Sequence, residues 1–501
     1  MQKLGLLLVL ASLTLMAACG GGSSVPPTTI TSVSVSCSPS TIQYGQTSQC
    51  SATVTGTGNF SSGVTWAASS GTISASGLFT APSGGVTSLQ VTITATSTQD
   101  TSKAGTATVT VNPVQQTGNV QPIVVDAGPA PQSFVTANEA FTSVTVCLPN
   151  SSTCQTIDHV LVDTGSSGLR LLSSAGGGEL TLGLPQTNDS SGNPLYECEV
   201  FLDGYTWGSV SAADITVASE KASSVPVQVV VPSSASPAVP ASCSSQNPPG
   251  GTGNEGDSLM AFGANGILGV GLFQQDCGGF CVTNSTNPTV YYDCPSSGCT
   301  PTTATLLQQV PNPVAMFATD NNGVLIQFST MVPNGGTPSA NGSLIFGIGT
   351  QSNNQLNGAQ VYDVPDSGSN AGGFTTIFNG NTYTSSFIDS GSNGFFFNDS
   401  SIPTCSSPNQ YWFCPTTSPL SLSAQNQGTN MTSPVSVSFS IENADNLFNT
   451  SNTAFSTLAG PYGSTPPAEF DWGLSFFYGR NVFTAIDGMS TPGGPGPYFA
   501  Y

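Results

Sequence analysis

Positive charge is nearly missing from this chain. Of its 501 residues only five are Lys or Arg, against 26 Asp and Glu, which gives a formal net charge of −21. Beyond Lys3 the cations are Lys103, Arg170, Lys221 and Arg480. A surface of that sign repels phosphate, which excludes nucleic acid and anionic lipid headgroups as partners. Histidine is scarcer still: the single His159 has no nucleophile-elbow string to work with, so a Ser-His-Asp triad drops out. P-loop, dinucleotide-fingerprint and HExxH strings are lacking as well. Lys, Glu and Arg, the straight-chain helix formers, are few, while Ser, Thr, Gly and Asn abound. That balance predicts a mainly β chain of strands joined by turns. No hydrophobic run is long enough for an ordinary membrane span. The longest, LGLLLVLASLTLM after Lys3, ends in small residues as an export signal does.

Acidity of this degree suits low pH, where carboxylates neutralise and self-repulsion relaxes. An acid-tolerant exported protein is one expectation, and charge that merely keeps the chain soluble is the other. At about 150 residues per domain the length predicts roughly three units.

The apolar run closes on Met16-Ala17-Ala18-Cys19, which resembles a bacterial lipobox, with Met where Leu is usual. The resemblance implies a signal peptide over 1–18, a lipidated Cys19, a flexible tether over 19–27 and a place in the cell envelope, held to the membrane by the lipid alone. The cysteine count agrees. Thirteen Cys is an odd number for an exported chain, and giving Cys19 to lipid leaves an even set. Most fall close in sequence: Cys37 and Cys50, Cys147 and Cys154, Cys277 and Cys281, Cys294 and Cys299, Cys405 and Cys414, with Cys198 and Cys243 left over. Up to six disulfides are expected, their connectivity open. A four-cysteine zinc site from Cys277, Cys281, Cys294 and Cys299 is the rival reading, and an oxidising compartment counts against it.

Residues 28–113 alternate apolar and polar positions in short strands, as in SVSVSC, SATVTG and LQVTITATS, which indicates a β-sandwich. The string VTWAASSGTISASGLFTAP with VTITATS resembles bacterial immunoglobulin-like repeats. That resemblance implies Trp66 in the core, a Cys37–Cys50 staple and a passive spacer. Residues 114–121 read as a linker.

From there to Tyr501 one pattern occurs twice. HVLVDTGSSGLRLL surrounds Asp163 and SSFIDSGSNGFFF surrounds Asp389; each is an apolar strand, then Asp, a hydroxyl residue, Gly, Ser, and an apolar strand again. Gly165 and Gly391 allow a tight turn that presents a carboxylate. Ser166 and Ser392 can bond the outer carboxylate oxygens, and Thr164 and Ser390 can bond across to the opposite turn. Two carboxylates held about 3 Å apart share a proton, so one serves as base toward water and the other as acid.

This region resembles a pepsin-type aspartic peptidase. AFGANGILGVG, with Gly269, and EFDWGLSFFYGRNVF, with Gly473, are similar to the segments that thread beneath the two catalytic loops. The resemblance implies a bilobal β fold with lobes over 122–340 and 341–501, and a monomer that binds a peptide or protein substrate. It needs no metal or cofactor, because water is the nucleophile. Two departures stand out. Arg170 occupies the position of a Trp that closes the substrate wall, and Phe201 the position of the flap Tyr, with Tyr205 close by as a substitute. Arg170 could bind an acidic substrate side chain or depress the carboxylate pKa; alternatively it pairs with a local acid or stacks on Trp207. Lys103 is the only cation between Cys19 and Val120, so the basic prosegment of such enzymes is not expected. A non-catalytic fold that captures peptides or an inhibitor is the alternative function, and an adhesin resting on the immunoglobulin-like module is a third.

Overall fold

The computed structural model describes residues 28–82, 88–112, 118–129, 136–202, 204–245, 254–284, 289–462 and 469–501. The signal, the lipobox at Cys19 and the tether lie outside these residues, as do residue 113 and 114–117 of the linker. Met1–Ile42, Gln46–Ala81 and Gln90–Thr110 belong to one compact unit; Gln43–Gly45, Pro82–Leu89 and Val111–Tyr501 belong to a second.

The first unit is built from two four-stranded sheets. Period-two alternation puts Val91, Ile93 and Ala95 of Leu89–Ser97 inside and the intervening residues outward. Ile30, Val33 and Val54 of one sheet share a cluster with Ala95 of the other, and Trp66 packs half-buried against it. Cys37 and Cys50 face each other in register and are disulfide-bonded.

The second unit is also mainly β. A 16-stranded sheet runs through it, with a 7-stranded sheet formed by later strands. Val120–Val125 joins early to late chain, pairing on one side with Ala140–Cys147 and on the other with Ala340–Phe346. Ser167–Leu172 and Gly266–Val270 are buried at every position, so they read as unbroken apolar runs interrupted only by Arg170 and the small residues.

TATLLQQV, residues 303–310, is the segment of the sequence with the best helical pattern, yet it folds as turns. Pro301 and Pro311 leave it too short to sustain a helix on its own. Tertiary ties decide instead. The Ala304 amide bonds Cys281, the Val310 side chain is buried, and Leu307 is left 87% exposed. The zinc reading is also overturned, because Cys277–Cys281 and Cys294–Cys299 are disulfides. Cys147–Cys154, Cys198–Cys243 and Cys405–Cys414 are the others. No helix among the described residues is long and apolar enough to cross a membrane.

Candidate active site

One construction is used twice. Cys154–Asp163 brings Ile157, Val160 and Val162 into the core and ends at the first Asp; the chain turns and leaves as Ser167–Leu172. Gly266–Val270 lies between those strands, parallel to the first with Asp163 opposite Gly269 and antiparallel to the second with Gly168 opposite Gly269. In the later half Asn381–Ile388 ends at Asp389 and the chain leaves as Phe395–Phe396. Asp471–Trp472 is parallel to the incoming strand and antiparallel to the outgoing one.

The turns meet tip to tip. The Asp163 and Asp389 carboxyls face each other, each reaching the glycine of the opposite turn, and their residues are 6% and 8% exposed. Within each turn the Gly amide donates to the inner oxygen, Gly165 to Asp163 Oδ1 and Gly391 to Asp389 Oδ1, both at 2.7 Å. The outer oxygens accept from hydroxyls, Ser166 to Asp163 Oδ2 and Ser392 to Asp389 Oδ2. A methyl group on Gly165 would lie 2.6 Å from Asp389 Oδ2, and one on Gly391 2.6 Å from Asp163 Oδ1, so only glycine lets the carboxyls meet. The Thr164 hydroxyl donates to Ile388 O at 3.2 Å and the Ser390 hydroxyl to Val162 O at 2.7 Å, each crossing to the opposite turn.

Burial, then the neighbouring Asp163, then Asp471 push the Asp389 carboxyl well above the usual carboxylate range. Such a pair takes up one proton between its members and titrates as a unit.

Of the roles proposed for Arg170, the wall beside Asp163 bears out one, pairing with local acids. Its side chain is fully buried, with Nη2 at 2.7 Å from Glu197, 3.2 Å from Glu199 and 3.9 Å from Asp276, and Nη1 donating to Ser167 O. Recognition of an acidic substrate group is therefore corrected: the guanidinium has no open face and is already outnumbered by carboxylates. It does not stack on Trp207; the ring over it is Phe201, at 5.8 Å. Phe201 begins the tight connection between Leu195–Val200 and Gly204–Val217, its amide bonded to Gly204 O. Tyr205 is no substitute for a flap Tyr, because it is 5% exposed and its hydroxyl is spent on Glu255 at 3.2 Å.

Sequence reasoning missed the acids of this wall and one more beside the dyad. Glu197 and Glu199 alternate on one strand, so both face Arg170, and Asp276 arrives from a distant loop where Tyr291 donates to it at 2.6 Å. Burial raises the Glu199 pKa to about 7 against the pull of Arg170, with Glu197 and Asp163 adding to the rise. The three carboxylates are spaced closely enough to hold a cation, but Arg170 already is that cation. Asp471, 1% exposed, is pushed well above the carboxylate range by burial, with the Ser392 hydroxyl opposing and Asp163 and Glu469 adding to it. Its one sequence signal was an acid inside the aromatic run EFDWGLSFF. His159 bridges Asp158 and Asp126 at 3.0 and 3.3 Å.

No curated protein matches the sequence. Among solved structures, the crystal structure of an aspartic proteinase from Irpex lacteus is similar over 76% of this chain and 96% of its own, at 14% identity and a TM-score of 0.45. The family described as "protein of unknown function (DUF3443)" matches residues 115–501, and the chain belongs to that family.

Proposed function

We propose that this protein is an aspartic endopeptidase of the pepsin type, which hydrolyses peptide bonds with a water activated by Asp163 and Asp389. The observation that carries the reading is the pair of buried carboxyls facing each other inside a network that repeats residue for residue in both turns. With one proton on the pair, the ionised member draws a proton from water while the neutral member protonates the scissile carbonyl oxygen. The products leave as a carboxylic acid and an amine, and the dyad recovers its single proton. Neither a metal nor an organic cofactor takes part in this scheme.

One observation favours a second reading, capture of a peptide or inhibitor without cleavage. The wall and flap carry Arg170 and Phe201, which cannot form the Trp-to-Tyr hydrogen bond expected of a flap closing over substrate. The expectations from the N-terminus extend the proposal: an exported lipoprotein of the cell envelope, lipidated at Cys19, monomeric, with an immunoglobulin-like spacer.

The deciding experiment is a peptide-library digest from about pH 3 to 7 with the wild type, Asp163→Asn and Asp389→Asn. Cleavage lost in both variants and blocked by pepstatin supports the dyad. Cleavage that survives both substitutions removes it as the active centre, and pepstatin binding without cleavage by the wild type selects the capture reading.

A further inference from the structure

The two halves of the site share one register, and at one cross-strand pair the charge changes strands. In the first, Arg170 lies opposite Ile267; in the second, the equivalent pair is Phe396 opposite Asp471. An aliphatic side chain beneath the first catalytic turn is thus matched by a carboxyl beneath the second. Trp472 sends its indole into the core, where Nε1 bonds Thr376 Oγ1 at 3.2 Å. Alternation along the strand then turns Asp471 to the other face, toward the Asp389 turn. There it lies beside Ser392, and its Oδ1 has no hydrogen-bond partner. A buried carboxyl left half-satisfied costs stability, so it calls for an explanation beyond packing.

We propose that Asp471 is a positioning residue beneath the Asp389 turn, which acts through the Ser392 hydroxyl to keep the shared proton on the Asp163–Asp389 pair toward neutral pH. The inference rests on the peptidase reading of that pair. Ser392 has one hydrogen to give, and it goes to Asp389 Oδ2 at 2.9 Å. While Asp471 is neutral, its own O–H can donate to Ser392 Oγ, which keeps the Ser392 hydrogen on Asp389. Once ionised, Asp471 competes for that hydrogen and adds a negative charge beside the pair. Loss of a hydrogen bond to the charged form and a like charge nearby both disfavour a second ionisation of the dyad. Both effects therefore extend the singly protonated, working state upward in pH.

The other titratable groups around Asp471 are Asp389 and Asp163 on the two turns, Glu469 on its own segment, and Tyr462, which donates to Glu469. All are acids, so no cation among them offsets the effect.

The test is the pH profile of kcat/KM for the full chain and for Asp471→Asn, which keeps shape and a donor but cannot ionise. The expected result is an alkaline limb moved acidward by about one pH unit, with kcat at the acid optimum within roughly three-fold of wild type. An unmoved limb, or a uniform fall at every pH, overturns the inference. Ser392→Ala is the second variant: adding Asp471→Asn to it should shift the limb by less than in the wild-type background, and an equal shift overturns the route through Ser392. Carboxyl-labelled aspartate NMR reads the dyad titration without turnover. If the wild type cuts nothing, the peptidase reading fails, yet an acidward dyad titration in Asp471→Asn still supports the coupling, and an unchanged titration overturns it.

Discussion

Thr164 and Ser390 trade amide-to-hydroxyl hydrogen bonds of 3.1 and 2.9 Å between the two turns, the Thr164 amide to Ser390 Oγ and the Ser390 amide to Thr164 Oγ1. Each hydroxyl accepts from one partner and donates to a carbonyl across the junction. Ser390→Ala would leave the Thr164 amide and the Val162 carbonyl without partners in a buried place, at a cost of about 1–3 kcal/mol for each unsatisfied group. Thr164→Ser retains the hydroxyl and should be nearly neutral. Because the two residues form one network, urea denaturation of Thr164→Val, Ser390→Ala and the double variant should show a coupling of about 0.5–3 kcal/mol. Strict additivity would mean the turns are held together by something else.

Arg170 is expected to matter for folding rather than for substrate choice. Arg170→Met strands Glu197, Glu199 and Asp276 without their shared cation, and breaking a buried pair from one side typically costs about 3–5 kcal/mol. The loss should shrink in acid, where those carboxyls take up protons. Denaturation midpoints at acid and neutral pH check this. An unchanged midpoint combined with an altered cleavage profile would restore the recognition role.

Much of the site was legible because its chemistry is local in sequence. Asp, hydroxyl residue, Gly and Ser follow one another in both turns, so the bonds from Gly165, Ser166, Gly391 and Ser392 to the carboxylates can be read from four-residue strings. The wall was not legible, since Arg170 meets Glu197, Glu199 and Asp276 only after strands distant in sequence pair. Charge counting showed that Arg170 was rare; it could not show that the surplus acid would be gathered around it. The failed helix at 303–310 has the same cause, with contacts to Cys281 and a buried Val310 outweighing a short segment's propensity. Cys198 and Cys243 could be matched only by elimination, because nothing in their flanking residues points to one another.

That last disulfide has a measurable role. It closes a 45-residue separation and ties Cys198, on the strand leading to Phe201, to a short helix at Ala241–Ser244. Loop-closure entropy for that length predicts a loss of about 4 kcal/mol in the Cys198→Ala, Cys243→Ala double variant. The expected readout is a lower denaturation midpoint together with earlier proteolysis near the Phe201 turn. Unchanged protection at that turn would show that the sheet alone holds it.

The strongest test of the dyad's environment couples activity to stability in opposite directions. The Asp389 carboxyl is raised well above its usual range by burial, by Asp163 and by Asp471, so its folded-state pKa exceeds its unfolded one. A raised acid contributes stability that is fully present below the unfolded pKa, near 4, and is lost as pH climbs through the folded value. Asp276 and Asp471 are raised in the same sense, chiefly by burial, and Glu199 to about 7. The wild type should therefore unfold at lower temperature near pH 8 than near pH 5. Asp389→Asn removes one of the buried charges without changing shape. It is expected to abolish cleavage while raising the melting temperature at neutral pH, with the gain fading in acid where the wild-type carboxyl is protonated anyway. Thermal melts of both chains across that range decide it. A variant less stable than wild type at neutral pH would mean that the ionised dyad is held comfortably by its Ser and Gly donors, and that the site stores no strain for catalysis to use.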